Sequence, residues 1–283
     1  MLDSAKAEKD LEPSDETHKV HSAHSTTDLK AFLRSPRYRF LRTRVVSLIT
    51  IYAVNESINY LYDKVLPHYA DPIDVNDVLP SKQTYFRRLS TVTPRETVIR
   101  AWLVFLWIWY SYALYTALHH VLAFLFVGIG LDSPSDWPPL YGKLSEATSI
   151  RAFWSKFWHR LVYRSYTSYG KFISLNILGL PRKSILGKLV VNGVVFLLSG
   201  IVHALTMRQP GFECGAMGEV RFYCEHYGAV LAETAVQAAF ERLTRVYRAN
   251  GAVTRTSGYI WVFGFLFYSV TKSQYGKAFC NPA

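Results

Sequence analysis

Residues 101–131 read AWLVFLWIWYSYALYTALHHVLAFLFVGIGL, 31 positions without Asp, Glu, Lys or Arg. A bilayer core takes about 20 mostly apolar residues per helix, so this run can span even when tilted. A second run, Leu189 to Met207, has 19 residues and no charge. Three weaker candidates are Val45 to Tyr62, which carries Glu56, His226 to Phe240, which carries Glu233, and the short, aromatic Thr256 to Thr271. Together they predict an all-α fold, a polytopic integral membrane helical bundle of four to six spans. The mean hydropathy of +0.07 alone would suit a soluble protein, but the apolar residues are bunched.

The net charge of +11 over 283 residues raises the reading of a nucleic-acid binder. The charges lie between apolar runs, as in cytosolic loops under the positive-inside rule, so membrane lipids rather than nucleic acid are the expected contact. Cys214, Cys224 and Cys280 give no disulfide framework. Cys214 and Cys224 pair if their loop faces the lumen; otherwise all three are free thiols.

The first 30 residues hold seven acidic and four basic side chains and no signal-peptide pattern. They read as a disordered polar tail, with its boundary drawn at residue 40 and one membrane domain over 41–283. His18, His21 and His24 in the tail read as solvated residues. After Pro36 comes the basic cluster RYRFLRTR. Thr93, Pro94 and Glu96 form a helix start, and DSPSDWPPLYGKL, 132–144, reads as turns at the interface, where Trp137 and Tyr141 are at home.

From 147 to 212 there are nine Lys or Arg and no Asp or Glu. This stretch begins SIRAFWSKFWHRLVYRSYTSYGKF, 149–172, in which Lys156, Arg160 and Arg164 recur every fourth residue. A continuous helix would stack them on one face beside rows of Phe and Trp, the pattern of an interfacial amphipathic helix. Such a helix either anchors to anionic headgroups or holds an anionic, multiply phosphorylated cosubstrate such as coenzyme A.

His203 sits inside the uncharged run LLSGIVHALT. An ionisable residue within a span is a functional hypothesis by default, because its burial is costly. Asn192, Gly193, Ser199 and Gly200 on the same run allow close helix approach or a wet cavity. His119 and His120 are adjacent, but the histidine clusters of di-iron desaturases are missing, so no metal is expected. There is no GxSxG motif for a serine hydrolase. A lone buried imidazole suits direct proton abstraction from an alcohol, which is typically worth 10²–10⁴-fold.

These segments together resemble the membrane-bound O-acyltransferase superfamily, and within it the wax synthase-like branch with its fungal acetyltransferases of terpenoid and other secondary metabolism. The family motif, FWxxxWN or FWxxxWH followed some forty residues later by an apolar helix with a histidine, corresponds here to SIRAFWSKFWHRL and FLLSGIVHAL. His159 and His203 are 44 residues apart. The resemblance implies transfer of an acyl group, acetyl from acetyl-CoA, to a terpenoid-like lipophilic alcohol, with no resident cofactor and a home in the endoplasmic reticulum membrane. It makes His203 the general base and His159 the second polar residue that orients substrate or steadies the oxyanion. Trp154 and Trp158 would wall the tunnel; that Lys156, Arg160 and Arg164 meet the CoA phosphates is an inference from their charge and spacing and not a family motif. The N-terminal membrane region is shorter than the family usually has. The reading opposed to this is a non-catalytic membrane scaffold or small-molecule transporter, in which His203 and Glu233 are buried polar contacts.

Overall fold

The computed structural model describes residues 29–208, 215–243 and 251–278. The histidines of the tail, Cys214 and Cys280 lie outside the described residues, and Cys224 is an exposed free thiol. Every regular element among the described residues is helical. The principal helices are α1 (Pro36–Tyr60), α2 (Pro94–Ile129), α3 (Ile150–Ala152, running into a π-turn over Phe153–Phe157), α4 (Tyr163–Phe172), α5 (Ile185–Arg208), α6 (Ala216–Leu243) and α7 (Gly251–Ala278).

Two helices, α2 and α5, are long and apolar enough to cross a membrane, with mean hydropathies of 1.6 and 2.1 in their most apolar windows. Part of α2 is core, with Val104, Ala123 and Val127 fully buried, but many apolar side chains on both helices are not. Leu114, Leu118, Leu125 and Ile129 of α2 and Leu197, Ile201 and Leu205 of α5 are exposed, as side chains that face lipid would be. The three weaker candidate spans all fall on helices, α1, α6 and α7.

The chain divides into two units. In the smaller, 29–58 with 117–138, the basic cluster after Pro36 is used locally. Arg37 Nη2 donates to the Gly128 carbonyl at 2.7 Å and Arg44 Nη2 to the Trp137 carbonyl at 3.0 Å. Seven residues apart, these two guanidiniums share a face of α1, and the boundary drawn at residue 40 therefore falls inside a helix. His120 Nδ1 lies 3.3 Å from Arg44 Nη1, with His119 beside it.

The larger unit, 59–116 with 139–278, carries the hydrophobic core of Phe153, Phe157, Trp158, Phe222, Tyr223 and Leu266. The start of α2 follows the expected cap, the Thr93 hydroxyl accepting from Glu96 N at 3.2 Å. The Glu96 carboxylate turns instead to Arg88, at 2.8 Å, and to Arg100. Arg100 is fully buried and donates to Thr271 Oγ1 and the Lys82 carbonyl. α5 packs closely on α6 because Gly200 has no side chain; a Cβ there would lie 3.0 Å from Val220 Cα.

The continuous helix expected over 149–172 is broken. After the π-turn, Trp158 turns to extended backbone, with ψ of 156°, and helix resumes only at Tyr163. The cause is tertiary. The Phe157 carbonyl accepts from Gly142 N at 2.9 Å rather than from a helical donor, and the Trp158 ring stacks nearly parallel on Trp107 at 4.8 Å. Gly142 is required there, since any Cβ would collide with the Lys156 carbonyl.

Candidate active site

A cavity of about 800 Å³ lies in the larger unit, within the size range of small-molecule sites. One wall is a stripe of α5, in which Gly187, Val191, Val195, Ser199 and His203 recur every fourth residue. That spacing keeps them on one helical face, and all but the last are small or short enough to leave room. Trp154, Trp158 and His159 form a second wall, with Tyr166 and Lys171 of α4 and Tyr115 and Tyr223 completing it.

Of the residues singled out in the sequence, His203, His159, Trp154 and Trp158 all line this cavity. Lys156, Arg160 and Arg164 do not; all three are exposed. The break after Phe157 destroys the single cationic face on which they were expected, and it is Ser155, Leu161 and Tyr163 beside them that line the cavity. The cations that line it are Arg151, Lys171, Arg182 and Lys188. Arg182 and Lys188 were visible as part of the positive field; Arg151 and Lys171 carried no signal that separated them from neighbouring charges.

His203 is half-buried and stacks on the Tyr223 ring, with centroids 5.0 Å apart and planes at 26°. His159 contacts the rings of Tyr115 at 4.8 Å and Tyr141 at 5.8 Å. Its Nδ1 is buried and has no partner among the described residues. Burial pushes the His159 ring down to about 4, with the nearby His203 adding to the effect. At neutral pH it is therefore an uncharged imidazole, able to donate one N–H and accept with the other nitrogen. Burial also raises the phenol of Tyr141 above its ordinary value, so it stays protonated, donating to the Ser111 carbonyl at 3.0 Å.

A second chamber of about 90 Å³ adjoins the cavity and shares Tyr115, Trp158, His159, His203 and Tyr223 with it. Its further lining includes Ser111, Glu219, Ser273, Gln274 and Lys277. The two histidines thus stand where the spaces meet. His226, by contrast, is a core residue. It is fully buried, its Nδ1 lies 2.8 Å from the Phe222 carbonyl and its Nε2 3.4 Å from Ser269 Oγ, and its ring supports Trp154 edge-on at 5.2 Å.

The aromatic turn is held by a carboxylate. Glu233 of α6 accepts from Ile150 N at 2.9 Å and Arg151 N at 3.1 Å, and from Trp261 Nε1 at 3.0 Å. Ser149 Oγ accepts from Ala152 N at 2.9 Å. Three first-turn donors that a helix start leaves unpaired are satisfied in this way.

Residues 137–224 match the membrane bound O-acyl transferase family. The chain is 33% identical over 156 residues to acetyltransferase spyB of Aspergillus fumigatus, covering 51% of this chain and 26% of that protein. It is 35% identical over 173 residues to acetyltransferase atnC of Arthrinium sp, covering 60% of this chain and 40% of that protein. With acetyltransferase nanB of Aspergillus nanangensis it shares 32% over 248 residues, 84% of this chain and 56% of that protein. The chain therefore spans between 26% and 56% of the length of these relatives. No solved structure matches it. The stretch that matches the membrane bound O-acyl transferase family, 137–224, contains both histidines and most of the cavity wall, and the chain is similar to fungal proteins named as acetyltransferases.

Proposed function

We propose that the protein is an acyl-CoA-dependent O-acyltransferase of secondary metabolism, transferring acetyl from acetyl-CoA to the hydroxyl of a terpenoid-like lipophilic alcohol. It works as a polytopic bundle in the endoplasmic reticulum membrane, on an acceptor that reaches it through the lipid. The observation that carries this reading is the joint placement of His203 and His159 on the wall of a cavity that also holds four cations. Lys188 and His203 lie 15 residues apart on α5, roughly 22 Å at 1.5 Å per residue. An extended pantetheine arm, at about 3.5 Å per three bonds, covers most of that length. Phosphates held by Lys171, Arg182 and Lys188 would thus leave the thioester near the histidines, so these cations replace Lys156, Arg160 and Arg164 in the donor site.

The chemistry needs no covalent enzyme intermediate. His203 takes the alcohol proton as its oxygen attacks the thioester carbon, and His159 donates a hydrogen bond to the oxyanion that develops. The carbon–sulfur bond then breaks, and the imidazolium returns the proton to the departing thiolate. Ester and coenzyme A leave with the base regenerated. Trp154 and Trp158 line the path and keep bulk water from hydrolysing the thioester.

The test uses the full chain in yeast microsomes, with labelled acetyl-CoA and a panel of terpenoid alcohols. Wild type forms labelled ester, and His203→Ala, inserted at the same level, loses at least about 10²-fold in turnover. Ester formation by His203→Ala at the wild-type rate refutes the assignment.

A further inference from the structure

The small chamber beside the histidines is not used by the chemistry above. At about 90 Å³ it is too small for a terpenoid alcohol and has the room of about three water molecules. Its lining is polar, and one member is a carboxylate that is nearly inaccessible: Glu219 is 6% exposed. Glu219 Oε1 takes an ion pair from Lys277 Nζ at 2.7 Å and a hydrogen bond from Ser273 Oγ at 3.2 Å. Both contacts fall on Oε1, so Oε2 is the oxygen that a group in the chamber would use. A buried charge is costly unless it is paired, and here the pair stands against an imidazole.

The placement follows from the backbone. Gly200 lets α5 touch α6 at Val220; His203 is one turn beyond Gly200, and Glu219 immediately precedes Val220. On α6, Glu219 and Tyr223 are one turn apart, so the residue under the His203 ring and the carboxylate share a face. Ser273 and Lys277 share a face of α7 in the same way.

We propose that Glu219 is a positioning residue for His203, its carboxylate orienting the ring and stabilising the imidazolium formed when the alcohol is deprotonated, with Lys277 limiting that effect. This rests on His203 being the base. The groups facing His203 are His159 and Trp158, Ser111 and Tyr115 from α2, Glu219 and Tyr223 from α6, and Ser273, Gln274 and Lys277 from α7. On the side of the larger cavity stand Tyr166, Arg151, Lys171, Arg182 and Lys188. Of these charges, Glu219 and Lys277 are the ones that share the small chamber with His203, and they carry opposite signs.

Opposite signs make the test specific. Glu219→Gln is expected to lower kcat by about 10- to 100-fold with KM for acetyl-CoA unchanged. The acid limb of its kcat–pH profile should move about one unit lower, because a base without its carboxylate is protonated less readily. Lys277→Gln should move the same limb upward. A residue that merely holds the fold would move neither limb, and general loosening would move both the same way; either result overturns the proposal. If Glu219→Gln does not insert, Lys277→Gln decides alone, an upward move supporting the proposal and an unmoved limb overturning it. His203→Ala measured alongside separates the two levels. An active His203→Ala removes the base assignment and this proposal together, whereas an inactive His203→Ala beside an unaltered Glu219→Gln removes the proposal only.

Discussion

Glu233→Ala tests how the cavity wall is built. The carboxylate is the acceptor for two backbone N–H groups at the start of α3 and for the Trp261 indole. A net hydrogen bond to a charged group is worth about 1.5–3 kcal/mol, but the three are not equal. Arg151 and Trp261 are exposed and their N–H groups can turn to water, whereas Ile150 is fully buried. The loss that water cannot repair is the bond to Ile150, plus about 0.3–1 kcal/mol for a carboxylate at a helix N-terminus. The sum is about 2–4 kcal/mol of local stability, or roughly 30- to 1,000-fold in the population of an opened first turn.

Hydrogen exchange on the purified protein in detergent reads that opening directly. Amides of residues 153–158 should exchange roughly 30- to 1,000-fold faster in Glu233→Ala, with α5 and the rest of α6 unchanged. Glu233→Gln keeps one carbonyl acceptor and loses the charge, so it should fall between wild type and alanine. Exchange of 153–158 within about threefold of wild type in Glu233→Ala would mean that the turn is held by its aromatic packing alone, and the capping argument would be wrong.

Further predictions follow from the same geometry. Changing Lys171, Arg182 and Lys188 together to Gln should raise KM for acetyl-CoA by about 10- to 100-fold, at about 1 kcal/mol or less per partly screened charge; changing Lys156, Arg160 and Arg164 should leave it within about twofold. Equal effects of the two triple changes would refute the reassigned donor site. Gly142→Ala should destabilise the protein by about 2–4 kcal/mol, read as a lower midpoint of thermal unfolding in detergent, because the Cβ and the Lys156 carbonyl cannot both be accommodated. His159 gives a pH dependence. Its ring is held down at about 4 against an unperturbed 6.5, so between those values the unfolded chain binds a proton that the folded one refuses. Stability must then fall as pH drops through that window, by at most about 1.4 kcal/mol per unit and less after solvent screening. His159→Asn should lose less on going from pH 7 to pH 5 than wild type does, and parallel unfolding curves would contradict the burial of the ring.

Local periodicity carried part of this architecture and distant contacts the rest. The α5 stripe from Val191 to His203 repeats every fourth residue within the uncharged run Leu189 to Met207, so its face could be read from spacing alone, as could the small residues that admit α6. The basic aromatic stretch shows the same period, and there the period misleads. Lys156, Arg160 and Arg164 have helical spacing, yet the chain between them is not helical, because the Phe157 carbonyl is bound by Gly142 fifteen residues upstream and Trp158 by Trp107 fifty-one residues upstream. No window short enough to show an amphipathic pattern contains either partner. Glu219 and Lys277 pose the same difficulty, being 58 residues apart on helices that each look unremarkable. Spacing predicts which residues share a face, and the unpaired acceptors at a break decide where that face ends. In this chain the end lies one residue before Trp158, and that single position determines which cations can reach the cavity and which are left on the outer surface.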